Sequence, residues 1–183
     1  MSRTPDFPDK KYDVIYADPP WDYGDAPSKI GEGGNFVIPY PMMSTADICA
    51  LPVHDIASDN CLAFIWTTGL FLQDTFKVGK AWGFTYSTIA FNWDKELPII
   101  GCYNMIQTEL CLLFKRGKRP PQESRKERQM IRCRKGSHSV KPLEAKCRID
   151  RMFPTQSKIE LFARPLPLLS SQDDGWDYWG NEV

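Results

Sequence analysis

The stretch Tyr12 to Trp21, YDVIYADPPW, limits what the rest of the chain can build. Tyr12, Val14, Ile15, Tyr16 and Ala17 form a short apolar run of high strand preference. Asp18-Pro19-Pro20-Trp21 ends it, because proline cannot donate to a sheet ladder and fixes its own φ. A carboxylate and an indole therefore stand at the carboxyl end of a strand. In an open α/β sheet that is the end where ligands bind, and two prolines hold the acid and the aromatic plane rigidly at its mouth. Such a quartet suits transfer to an amino group conjugated into an aromatic ring, which is a poor nucleophile until hydrogen bonds favour its pyramidal form. Asp18 can accept one N–H, the Pro19 carbonyl can accept the other, and Trp21 can stack on the base. Four residues after a strand also fit an acidic turn with a packed tryptophan, so other stretches have to decide.

With 183 residues, 42% of them hydrophobic and 13% aromatic, the chain has enough apolar surface for one globular domain, residues 1–183, with a sizeable core. The 23 basic and 23 acidic residues cancel, so any attraction to nucleic acid is local. Six cysteines, at 49, 61, 102, 111, 133 and 147, show no C-x-x-C spacing, and there are only two histidines. Neither a zinc site nor a disulfide scaffold is indicated, and no metal is expected. The first residues carry no apolar leader and no later run approaches membrane-spanning length, so a cytoplasmic protein that avoids the membrane is expected.

After Trp21 the sequence WDYGDAPSKIGEGGNF has four glycines and no periodicity and reads as a mobile loop, with Tyr40 at its lip. Ser44 or Thr45 caps a short helix running toward Leu51. CLAFIWTT, residues 61–68, is a continuous apolar run of the kind buried on both faces of a parallel sheet. GLFLQDTFKVGKAWGF follows as an amphipathic helix ending near Gly83, then strand-like TYSTIAFNWD and, after a turn, TELCLLFKRG. Pro142 opens LEAKCRIDRMF as a helix that stops at Pro154, and SKIELFARP is a further strand closed by proline. The β-α-β rhythm favours an α/β sheet.

In this order, YDVIYADPPW, CLAFIWTTG, ELCLLFKRG, HSVKPLEA, KIELFARP and GWDYWGNE resemble the DPPW-type adenine-specific N(6)-methyltransferases, the family that includes the catalytic subunit of the eukaryotic mRNA N(6)-adenosine methyltransferase. The resemblance covers nearly the whole chain and is nearest in size to small phage and bacterial members. It implies a Rossmann-like fold, a mainly parallel sheet with helices on both faces, in a circularly permuted motif order. It implies S-adenosylmethionine as cofactor, bound without a glycine-rich loop, and methyl transfer to the 6-amino group of adenine in nucleic acid, DNA ahead of RNA. Asp18, Pro19, Pro20 and Trp21 are its catalytic residues. Lys141, Glu160, Leu161, Phe162, Arg164, Asn181 and Glu182 are its cofactor contacts, and Tyr40 and Glu109 lie near the target base. Lys141 or Arg164 can pair with the methionine carboxylate, Asn181 and Glu182 can bond the ribose, and Phe162 can flank the adenine. Leu166 and Pro167 depart from the polar residues that follow this strand in eukaryotic members. A catalytically silent subunit and a plain nucleic-acid-binding module stay open as alternatives, and a homo-oligomer is equally open.

The one polarised stretch is KRGKRPPQESRKERQMIRCRK, residues 115–135 of a basic loop extending to 136, with ten cations against Glu123 and Glu127. Taken alone it is a solvated charge run. Its place between a strand and the HSVKP segment makes Arg125, Lys126, Arg128 and Arg132 expected contacts for a polyanion held over Asp18 to Trp21.

Overall fold

The computed structural model describes residues 6–24, 42–101, 103–134, 140–163 and 175–180. Strand β1 (Tyr12–Ala17) is followed by short helices α1 (Thr45–Ala50) and α2 (Val53–Ile56), strand β2 (Ala57–Thr67) and, after a single 3-10 turn, helix α3 (Leu72–Ala81). Strands β3 (Thr85–Ile100), β4 (Met105–Arg116) and β5 (Met130–Arg132), helix α4 (Leu143–Met152), β6 (Lys158–Leu161) and β7 (Trp176–Trp179) complete the order. One seven-stranded sheet runs β5-β3-β4-β2-β1-β6-β7. The pairs β1–β2, β1–β6, β6–β7 and β3–β5 are parallel, and the two pairs made by β4 are antiparallel, so β4 alone is reversed. The sheet is mainly parallel with helices on both faces, as the sequence predicts.

Strand alternation divides the core in two. Ile15, Ala17, Ala63, Ile65, Leu112 and Phe114 face Ile48, Val53, Ile56, Val78 and Trp82 of α1–α3. Val14, Tyr16, Leu62, Phe64, Trp66 and Cys111 face Ala145, Ile149 and Phe153, which recur every four residues along and just past α4. β1 and β2 are buried on both sides because each face has its own helical cover. At about 1.5–3 kcal/mol for each large apolar side chain taken from water, these two strands hold the centre. Gly79 lets α3 lie close, since a Cβ there would overlap the Phe114 ring. Ser44 accepts the Asp47 N–H at 3.1 Å as the α1 cap, and Gly83, at φ +84°, ends the turn after α3.

The structure differs from the sequence reading at four places. β3 and β4 continue past the expected turn as a long antiparallel hairpin, Ile99 pairing with Ile106 and Ile100 with Met105. β5 forms inside the basic stretch, because Met130–Arg132 pair with Asn92–Asp94 on the open edge of β3. The aromatic tail supplies β7, because Trp176–Trp179 pair with β6. Pro142 is the cap residue before α4, with ψ 126°, and not its first helical residue.

Candidate active site

β1, β2, β6 and β7 point their carboxyl ends the same way, and Ala17 lies level with Ile65 of β2 and Leu161 of β6. The next residue, Asp18, projects to the α4 side, the side of Val14 and Tyr16. Because β4 is reversed, its beginning reaches the same edge, and Glu109 lies on the same face as Cys111. The chain enters α4 beside this edge and delivers Lys141 between the two acids. Its ammonium stands 2.9 Å from Asp18 Oδ1 and 3.1 Å from Glu109 Oε2. Lys95 at the end of the regular β3 pairing bonds the other Glu109 oxygen and lies over the Trp93 ring at 5.5 Å.

Two carboxylates and two ammoniums thus form one chain of charge, Lys95–Glu109–Lys141–Asp18, mostly out of water and walled by Trp66 and Trp93. Burial alone would push Glu109 up, but the Lys141 and Lys95 ammoniums outweigh it and hold its carboxyl below the usual range. Burial likewise opposes the charge on Lys141, yet Asp18 and Glu109 raise its pKa above the ordinary lysine value. Burial pushes the neighbouring Tyr16 hydroxyl and Cys111 thiol well up, so both stay protonated. Lys95 is the member of this network that the sequence did not reveal. It sits in Asp94-Lys95-Glu96, which resembles an ordinary polar turn.

The two prolines fix a tight return. Trp21 N–H donates to the Pro19 carbonyl at 2.9 Å, and Met43 N–H donates to the Pro20 carbonyl at 2.8 Å, tying the motif to the start of α1. The Pro19 oxygen keeps a second lone pair. Trp21 is 5% exposed and stacks on Phe71 at 5.2 Å and 11° between planes, while its Nε1–H donates to the Trp66 carbonyl at 3.4 Å. The plane expected to receive a base is here packed on Phe71, an aromatic that the sequence reading placed only in a helix.

At the end of β6, Glu160 takes an ion pair from Lys146 at 2.8 Å. Lys146 also donates to the Tyr178 hydroxyl at 3.0 Å, between the Trp176 and Tyr178 rings at 4.7 and 4.6 Å. Leu161 is buried. Phe162 adopts the left-handed φ of 61° and sets its ring edge-on to Trp179 at 5.7 Å. A bulky residue rarely holds that conformation, which costs about 1–3 kcal/mol, and the chain stays on the sheet just past it, where Ala163 N–H donates to the Trp179 carbonyl at 3.2 Å. Tyr40, Arg164, Asn181 and Glu182, with Leu166, Pro167 and the glycine-rich loop beyond Gly24, lie outside the described residues.

The basic stretch is anchored along α4. Arg151 donates to both Glu127 oxygens at 3.1 and 2.9 Å, and Arg148 donates to the carbonyls of Arg128 and Met130. Glu123 N–H bonds Met152 and Asn92 N–H bonds Gln129, so Arg125, Lys126 and Arg128 stand exposed between these anchors. Only Arg132 of the four is level with Asp94 at the site edge, its Nε 3.7 Å from Asp94 Oδ2. Among the described residues no cluster of His, Cys, Asp and Glu could hold a metal ion, and no helix is long and apolar enough to cross a membrane.

A doubly covered, mainly parallel sheet with acids at its carboxyl edge is an α/β architecture of the kind in which ligands bind at that edge. Residues 12–182 match the MT-A70 family model, and the chain belongs to the MT-A70 family. It is 41% identical to the Type II methyltransferase M.MunI of Mycoplasma sp, over 98% of this chain and 81% of that protein. It is 28% identical to the N(6)-adenosine-methyltransferase MT-A70-like protein of Drosophila melanogaster and 26% identical to the N(6)-adenosine-methyltransferase MT-A70-like of Arabidopsis thaliana. Both matches cover 94% of this chain, which spans only 27% and 24% of those two proteins.

Proposed function

We propose that this protein is a methyltransferase acting on the exocyclic 6-amino group of adenine in DNA, with S-adenosylmethionine as the methyl donor. The observation that carries the reading is Asp18 at the carboxyl end of β1, held by Lys141 and next to the Pro19 carbonyl, in a chain of the MT-A70 family. The residues at this edge fit the donor. Lys141 offers a cation for its carboxylate, and Phe162, half-buried beside Trp179, offers a ring. Arg164, Asn181 and Glu182 are the remaining contacts assigned by resemblance. When bound, S-adenosylmethionine would supply an electrophilic methyl, the sulfur would keep the bond pair, and the amine proton would pass to water.

Asp18 and the Pro19 carbonyl each accept one amine N–H, which draws the nitrogen lone pair out of the ring. A sulfonium already makes the methyl electrophilic, so the protein's part is alignment and charge placement, with no strong base required. Lys141 is shared between Asp18 and Glu109, and a ligand carboxylate that takes up the ammonium releases Asp18 for the amine. Lys95 keeps Glu109 neutralised meanwhile.

The test is methyl transfer by the purified full chain from labelled S-adenosylmethionine to duplex DNA, single-stranded DNA and RNA, with the modified nucleoside identified by mass spectrometry. N(6)-methyladenine in DNA is the expected product. Label found only in RNA or only in cytosine contradicts the reading, and retained cofactor binding with no transfer marks a silent subunit instead.

A further inference from the structure

Past Trp93 and Glu109 the sheet narrows. β4 loses its neighbour β2 after the Thr67–Leu110 pair, and β3 loses β5 after Asp94–Arg132. Among the described residues the two strands of the hairpin alone continue beyond the site edge, kinked at Glu96 by a left-handed φ of 59° and paired again at Ile99–Ile106 and Ile100–Met105. The turn closes with Gly101 N–H donating to the Asn104 carbonyl at 2.9 Å, and a Cβ at Gly101 would collide with Ile106. From Glu109 to Met105 is four residues, about 13 Å of strand.

This projecting ribbon carries no charge. Residues 97–106 read LPIIGCYNMI. Leu97, Ile99, Ile100, Met105 and Ile106 are 44–67% exposed and Tyr103 is fully exposed. Adjacent cross-strand pairs point to opposite faces, and both pairs are open, so the ribbon is apolar on its two sides. A flat protein interface needs one apolar face; a blade that is apolar on both fits a slot between apolar planes. Cations stand at one edge of its base, on the β5 side, with Arg132 71% exposed and Arg134 exposed just beyond it, so a phosphate can be held next to an uncharged tip.

The geometry points to DNA as the occupant: the β3–β4 ribbon, led by Tyr103, enters the duplex beside the target and fills the gap in the base stack when adenine swings out to Asp18. This rests on the methyl-transfer reading above. An enzyme that works on a base inside a duplex has to extrude it, and apolar or aromatic wedges hold such openings in other nucleic-acid-binding proteins. A two-stranded ribbon also matches the width of the major groove, about 12 Å. Glu109 sits at the root of the blade, so insertion and delivery of the base to the site are mechanically one event.

The experiment compares the wild-type chain with a Leu97→Ser, Ile100→Ser, Tyr103→Ser triple variant and with Tyr103→Trp. Substrates are a duplex carrying a methylated site mapped on wild-type-treated plasmid, the same duplex with the target adenine mispaired, and the single strand. The triple variant is expected to lose tenfold or more in kcat/KM on the paired duplex. The loss should shrink to twofold or less where the base is already unstacked, with S-adenosylmethionine affinity and thermal midpoint held, and Tyr103→Trp should retain wild-type rates. An equal loss on all three substrates, or no loss on the paired duplex, overturns the wedge. So does a wild-type dimer that the triple variant converts to monomer, since the ribbon would then be a subunit contact. If the wild-type chain methylates no DNA at all, the function itself falls and the wedge with it, a result distinct from the others.

Discussion

Lys141 Nζ lies 2.9 Å from Asp18 Oδ1, so the acid assigned to the target amine is held by a lysine assigned to the cofactor. The two assignments describe one ammonium, already paired with Glu109, for which Asp18 and a ligand carboxylate compete. In the proposed reaction, a substrate-ready Asp18 and a cofactor-ready Lys141 would be reached together, with the cost of separating a buried pair falling to the incoming carboxylate.

Asp18→Ala is expected to lower kcat about a hundredfold or more while S-adenosylmethionine affinity stays within a few-fold, because the amine contact is made chiefly on the way to the transition state. Single-turnover methylation and equilibrium cofactor titration separate the two quantities. Near-normal turnover would remove Asp18 from the chemistry.

Glu109 gives a pH signature. Its carboxyl pKa is depressed in the folded protein, so its share of the stability is fully present above the unfolded value of about 4.3 and is lost as pH falls through the lower folded value. Urea midpoints measured from pH 7 downward should hold to about 4.3 and then decline. Glu109→Gln should be less stable at pH 7, because Lys95 loses its ion pair and Lys141 keeps only Asp18, and its acid limb should be shallower than that of the wild type. Parallel limbs in the two proteins would show that Glu109 is not the titrating group.

Trp21→Ala should act on the fold first. The ring is nearly buried against Phe71, and removing such a side chain costs about 3–5 kcal/mol. Trp21→Phe should recover most of that in denaturant unfolding. A direct loss of DNA affinity of roughly 1–3 kcal/mol in Trp21→Phe would show instead that the indole leaves Phe71 to stack on a base.

Replacing Arg125, Lys126, Arg128 and Arg132 with Ala should weaken binding to every DNA sequence alike. It should flatten the salt dependence by up to about one unit of log–log slope for each phosphate that is no longer neutralised. Because Arg132 alone of the four is at the site edge, Arg132→Ala by itself should account for the larger part of any effect on kcat/KM. An unchanged salt slope in the quadruple variant would make the stretch a solvated bracket along α4.

The sheet's centre was legible because β1 and β2 are buried on both faces, which leaves no polar alternation to confuse the reading. The place of Asp18 was legible for another reason, since the prolines mark where the strand must stop. β5 and β7 were not: three and four residues carry too little pattern, and each exists because a longer neighbour offers an open edge. Lys95 was hidden by its charged neighbours in sequence, and its pairing with Glu109 follows only once the hairpin register is known. The same hairpin hid the exposed ribbon, because LPIIGCYNMI resembles a turn between two strands more than a paired projection from them.

β1 has its two partners at very different distances along the chain. Asp13 and Ser157, which join β1 to the start of β6, are 144 residues apart. β1 is thus made long before its neighbour β6, and the sheet edge that carries Asp18 is not enclosed until β6 has been made. Slow closure of one long loop, and not the early strand–helix units, is what stands between a nascent chain and a working site.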